Sequence, residues 1–162
     1  MKEVILKDGK HLVLFYGGPF SNFAWAPFVK LGLKFYTSEQ CFMWSKAVFF
    51  QDQETAEKIL KTTKPQEAKA LGRQVMGYSD SKWAAVRYSV MLDAVLEKFK
   101  QNEDFKRKLK AYPPGTRFAE ASPVDCIWGI GLGEDNPDAA DPEKWRGTNL
   151  LGKIIEEVHK RL

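Results

Sequence analysis

Cysteine and histidine are scarce. The 162 residues include two cysteines, Cys41 and Cys126, with no CxxC pair, and two histidines, His11 and His159. That excludes a disulfide framework and argues against a metal site, whose ligands come in closely spaced sets. No histidine is placed to activate Cys126, so a thiol nucleophile is not expected. No apolar run approaches the length of a membrane span, and "MKEVILKDGK" lacks the core of a signal peptide. The expectation is a soluble cytoplasmic protein with no membrane partner and no obligate protein partner. A phosphate-binding loop is missing too. "GIGLG", Gly129–Gly133, is not GxGxxG, no helix is predicted after it, and Glu134 and Asp135 would repel a phosphate. Repeats, linkers and low-complexity tracts are absent, which predicts one domain over residues 1–162. Charge of one sign does not dominate either, with 25 basic against 21 acidic residues. The densest cluster, Lys106–Lys110, follows Glu103 and Asp104 and reads as a solvated helix face. A structural DNA-binding protein, which needs a continuous basic face, is therefore disfavoured.

Apolar and aromatic side chains are plentiful: 44% of the residues are hydrophobic, and the chain has five Trp, five Tyr and eleven Phe. A chain of this length buries about 70% of its unfolded surface and needs no covalent staple. "VILKDGKHLVLFY" predicts a hairpin around Asp8-Gly9, and "FVKLGLKFYT" a second one pivoting near Gly32. "GGPFSNFAWAP" between them reads as a loop. Helices are predicted over roughly 38–51, 53–62, 66–75, 80–101 and 103–110, from their periodicity and their breakers. "RFAEAS" and "CIWGIG" read as short strands, "LGEDNPDAADPEKW" as a long acidic loop, and 149–161 as a terminal helix. The whole is α+β: a mostly helical domain with a small antiparallel sheet. Parallel βαβ repetition is absent, which excludes a dinucleotide fold.

One predicted helix stands out. "YTSEQCFMWSKAVFF" is apolar on nearly every side and still carries Glu39 and Lys46. Thr37 and Gln40 match a capping box, which places Glu39 in the first turn, where the helix dipole favours a carboxylate. Glu39 and Lys46 fall about 20° apart on the helical wheel and about 10 Å apart along the axis. A helix apolar all round should be buried, and buried Glu and Lys are rare unless paired or functional. Two chargeable groups in a hydrophobic wall point to a pocket, although Glu39 also serves as an ordinary first-turn residue and lysines commonly snorkel.

Other residues have both a structural and a chemical reading. Ser21 and Asn22, between Phe20 and Phe23, read by themselves as turn-forming residues. Trp83, Arg87 and Met91 share one helix face; Trp83 and Met91 suit a core, and Arg87 is the anomaly there. A guanidinium clamps phosphate bidentately, so Arg87 and Arg73 in "LGR" are phosphate candidates. Asn149 is placed to cap the last helix, with its amide also able to reach a ligand. Asp125 after Pro123 reads by itself as a turn residue, and Trp128 as core.

Taken in order, "FYGGPFSNF", "SEQCFMWSK", "LGR", a "WxxxRxxxM" helix, "EASPVDCIWGIG" and "NLLG" resemble the NADAR, or YbiA-like, family of N-glycosidases. The resemblance runs from Phe15 to the terminal helix. It implies hydrolysis of the bond between a ribose anomeric carbon and an amino-substituted base, without a metal or redox cofactor. It assigns Lys46 and Glu39 to catalysis and puts Glu120, Asp125 and Trp128 at the pocket, with Asp125 as a further acid. With Ser21, Asn22, Phe23, Arg73, Trp83, Arg87 and Asn149, these make up the expected site. The family implies two substrates: ADP-ribose on guanine, with DNA as carrier, or ribosylamino-pyrimidine phosphates of riboflavin biosynthesis. A non-catalytic reader of ADP-ribose or nucleotides is the rival from another class.

Overall fold

A computed structural model describes residues 1–162. The chain forms two compact units, one from Met1–Ser21 with Asp104–Leu162, the other from Asn22–Glu103. No helix is long and apolar enough to cross a membrane.

The first unit contains strands β1 (Lys2–Ile5), β2 (His11–Phe15) and a strand at Arg117–Glu120. β1 and β2 form the predicted antiparallel hairpin, with Gly9 at φ 83° in its turn. The Arg117–Glu120 strand pairs with β2 in parallel, Leu12 opposite Arg117 and Phe15 opposite Glu120. The small sheet is thus mixed, not purely antiparallel. Its core gathers Leu12, Leu14, Ala119, Ala121, Ile130 and Leu132, with Phe15, Phe20 and Phe118 meeting edge to face. The basic segment folds as a helix, Glu103–Lys110, that buries only Leu109 and pairs Arg107 with Asp104. This matches the solvated-face reading.

"CIWGIG" is not a strand. Its backbone groups are taken by the segment after Arg146: Thr148 N–H donates to Cys126 O, Asn149 to Gly129 O, Leu150 to Ile127 O and Leu151 to Trp128 O. A chain whose hydrogen bonds go to an irregular neighbour has no ladder to join. The acidic stretch includes two short 3-10 turns, Pro137–Ala140 and Pro142–Lys144.

The second unit is mostly helical. Its hairpin, β3 (Phe28–Lys30) and β4 (Leu33–Phe35), turns through Leu31 and Gly32, both at positive φ (54° and 74°). Two such residues form the turn whose twist matches the strands. Then come α1 (Ser38–Phe49), α2 (Gln53–Lys61), α3 (Pro65–Gly72) and α4 (Asp80–Gln101). With α5 (Glu103–Lys110) and α6 (Leu150–Arg161) of the first unit, and the Arg117–Glu120 strand as β5, the α+β class stands. One apolar cluster joins Ala47, Ala56, Ile59, Ala68 and Val75; another joins Phe28, Phe35, Cys41 and Ala94. Burial pushes the Cys41 thiol up to about 12, which makes it inert as a nucleophile. α1 is less enclosed than its composition predicts, since Val48 and Phe49 near its end are exposed.

Candidate active site

The start of α1 is held from three directions. Thr37 caps the helix by accepting a hydrogen bond from Gln40 N–H at 3.1 Å. The Gln40 side chain does not close the box on Thr37; it reaches one residue further back and accepts from Tyr36 N–H at 2.7 Å. Its amide donates to the Ile59 and Thr62 carbonyls at 3.1 and 2.7 Å, fastening α1 to the end of α2. The Glu39 N–H donates to Asn22 O at 3.1 Å, and Ser38 Oγ donates to Asn22 Oδ1 at 2.8 Å. With its oxygen engaged by a hydroxyl, the Asn22 amide is oriented with its N–H₂ as the remaining donor. Asn22 and Glu39 are both buried.

Two turns further along α1, Lys46 is half-buried. Burial lowers its pKa from the ordinary lysine value; the Glu39 carboxylate opposes this and the Arg73 guanidinium reinforces it. The wheel position shared by Glu39 and Lys46 is therefore an electrostatic relationship in the folded unit. Arg73 reaches the same place through the end of α3. A Cβ on Gly72 would fall on Met43 Sδ, so at this packing of α3 on α1 any larger residue must push the Met43 side chain aside. The glycine of "LGR" delivers the arginine beside it.

Tyr78 is a site residue that sequence reasoning missed. Lys46 Nζ lies over its ring, 4.6 Å from the centroid. Tyr78 Oη donates to Asp80 Oδ1 at 2.8 Å. Burial and Asp80 hold the phenol above its usual range, while Arg87 pulls the other way. No motif in "MGYSD" announces this contact, because it depends on how the loop before α4 folds back on α1.

The remaining predicted residues divide by role. Trp83 is 5% exposed and packs on Phe42, Phe49 and Phe50, which is a core position. Met91 is buried as expected, and Arg87 is half-buried. Phe23 is partly exposed, with Lys69 Nζ 5.8 Å from its ring centroid. In the first unit, Ser21 is buried and its N–H donates to Gly18 O. Asp125 Oδ1 accepts from Ile127 N–H at 2.9 Å and from Trp128 N–H at 2.8 Å, so one of its oxygens builds the turn. Trp128 and Glu120 are half-buried. Asn149 does sit at the cap position of α6, but its side chain makes no capping bond. It accepts from Glu120 N–H at 3.2 Å and donates to Phe118 O at 2.9 Å, filling in for a neighbouring strand. Its left-handed backbone, φ 53°, lies outside the usual cap geometry and turns the amide toward β5.

Residues 14–162 match the NADAR domain family model. Protein irg-1 of Caenorhabditis elegans is 42% identical over 132 residues, which cover 80% of this chain and 62% of that protein. N-glycosidase R617 of Acanthamoeba polyphaga mimivirus is 33% identical over 127 residues, 78% of this chain and 74% of that one. N-glycosidase YbiA of Escherichia coli is 30% identical over 145 residues, 90% of this chain and 81% of that one. The NMR structure of the E. coli protein YbiA superposes with a TM-score of 0.75 at 28% identity, covering 93% of this chain and 83% of that one.

Proposed function

From the premise that this chain belongs to the NADAR domain family, we propose that it is an N-glycosidase that removes ADP-ribose from ADP-ribosylated guanine, with Lys46 at the reacting carbon. The named N-glycosidases among its relatives support the reaction class. The observation that carries the residue assignment is the lowered pKa of Lys46, half-buried between the charges of Glu39 and Arg73. A lysine held this way supplies more free amine at neutral pH, and a free amine is a nucleophile.

The steps follow from those groups. The Lys46 amine attacks the ribose C1, and the bond from C1 to the base nitrogen breaks. The departing nitrogen takes a proton from the carboxyl of Glu39, leaving as a neutral amino-substituted base. The bond from C1 to the ring oxygen then breaks, that oxygen takes a proton from the Lys46 nitrogen, and an iminium between Lys46 and C1 remains. Water, giving a proton back to Glu39, adds to C1 and releases the sugar as an aldehyde that closes to its hemiacetal. As it gives up that proton, Glu39 becomes the carboxylate that faces the positive charge left at C1. Arg73 and Arg87 are the phosphate anchors of the same unit, and the Asn22 amide is a donor for ribose hydroxyls.

The test is direct. The protein is incubated separately with ADP-ribosylated guanosine and with a ribosylamino-pyrimidine phosphate, and free base is followed by mass. Release from the guanosine substrate is expected. Borohydride during turnover should reduce the iminium and leave the sugar on the peptide containing Lys46. Normal turnover in both Lys46→Ala and Glu39→Gln overturns the assignment, and release from the pyrimidine alone overturns the substrate.

A further inference from the structure

We propose that the loop and hairpin from Asn22 to Tyr36 form a docking strip for single-stranded nucleic acid flanking the reacting base. This rests on the substrate reading above, and the residues it stands on, Trp25, Lys34 and Tyr36, lie outside the proposed chemistry.

Trp25 is 58% exposed, an unusual cost for a ring of that size on a folded surface. It is not loose: it stacks on Tyr36 with ring centroids 4.8 Å apart and planes 28° apart. Lys34 Nζ lies over the Tyr36 ring, 5.3 Å from its centroid. Phe23, two residues before Trp25, has the Lys69 ammonium over its own ring. One short stretch thus holds the exposed Phe23 with a cation on its ring, and the exposed Trp25 stacked on the half-buried Tyr36, which has a cation of its own. From Asn22 to Tyr36 the chain includes Lys30 and Lys34 and no aspartate or glutamate.

That pattern selects the partner. A purely apolar protein surface would leave the lysines desolvated without counter-charge, and an acidic peptide would leave the ring faces unused. A single strand satisfies both, since its bases stack on aromatic faces and its phosphates sit on ammonium groups. The strip also begins at the candidate site. Asn22 holds the first turn of α1, and Trp25 lies three residues on, within about 11 Å even if the chain were fully extended. A nucleotide next to the reacting one is within that reach.

The probe is a fluorescein-labelled, unmodified oligothymidylate of about 12 nucleotides, inside the usual footprint of such surfaces. Binding is expected at low salt and should weaken as salt rises. Trp25→Ala should weaken it about tenfold, and Lys34→Gln should flatten the dependence of log K on log salt by about 0.7, the share of one phosphate contact. In turnover, Trp25→Ala should lower kcat/KM about tenfold on an oligonucleotide with one ADP-ribosylated guanine and leave the mononucleoside substrate unchanged. Oligothymidylate binding that survives both substitutions overturns the strip, because the strand would then be held elsewhere. Equal loss on both substrates overturns it too, because Trp25 would then be supporting the catalytic fold. If neither substrate turns over, the catalytic reading fails, while oligothymidylate binding still decides the strip.

Discussion

The Lys46 ammonium lies over the Tyr78 ring, 4.6 Å from its centroid. A ring face favours the charged amine, while burial and the Arg73 guanidinium favour the neutral one. The charge state of Lys46 is thus set by opposing neighbours, and each can be removed.

Removing them should move the pH profile in opposite directions. If the free amine attacks, kcat/KM should rise with pH through the lowered Lys46 pKa. Tyr78→Leu deletes the ring that favours the ammonium, so the rising limb should shift to lower pH. Arg73→Gln deletes a like charge, so the limb should shift to higher pH. Shifts of the same sign in a pH-rate series would show that the limb belongs to another group.

Gly72 sets how closely α3 approaches α1. Gly72→Ala gains about 1 kcal/mol in helix propensity, but its methyl falls on Met43 Sδ, and overpacking of this kind costs about 1–3 kcal/mol. A net loss of stability in urea unfolding is expected. Adding Met43→Ala should recover part of it, giving a coupling of at least about 0.5 kcal/mol in a double-mutant cycle. Additive effects would mean that the two helices relax apart freely.

Lys98 in α4 is fully buried, and burial alone drives its pKa down to about 7. Above that value the folded chain leaves Lys98 neutral, while the unfolded chain keeps it protonated up to the ordinary lysine range. Unfolding therefore takes up a proton, and stability should rise from pH 7 to about pH 9 by about 1.4 kcal/mol per pH unit. Below pH 7 both states are charged and the slope vanishes. Lys98→Met should remove this slope, whatever it does to absolute stability. An unchanged slope in chemical denaturation across that window would mean that Lys98 stays charged when buried.

Asn149 joins α6 to β5 through two hydrogen bonds. Asn149→Ala strands a buried donor and a buried acceptor, which costs about 1–3 kcal/mol. Asn149→Ser restores a good capping side chain and should recover little, because capping is not what Asn149 does. Full recovery by serine in thermal unfolding would reinstate the capping role.

Much of the fold is legible in residue order because its signals are local. Periodicity, the Asp8-Gly9 and Gly32 turns and Thr37 before α1 mark element ends through neighbours a few residues away. The same locality brings Glu39 and Lys46 onto one stripe of α1, since a seven-residue spacing on a helix is a fixed rotation. Three decisions lay beyond that range. β5 pairs in parallel with β2 across a gap of about a hundred residues, and no local pattern records such a partner. Gln40 and Asn149 both sit where capping rules expect them, yet each spends its side chain elsewhere, on backbone groups of Tyr36, α2 or β5 that only the packed fold brings within reach. Tyr78 and Arg73 reach Lys46 only after α3 and the loop before α4 have packed against α1. Residue order determines which groups can react, but the lowered pKa on which the proposed role of Lys46 rests comes from desolvation and from charges brought near by packing.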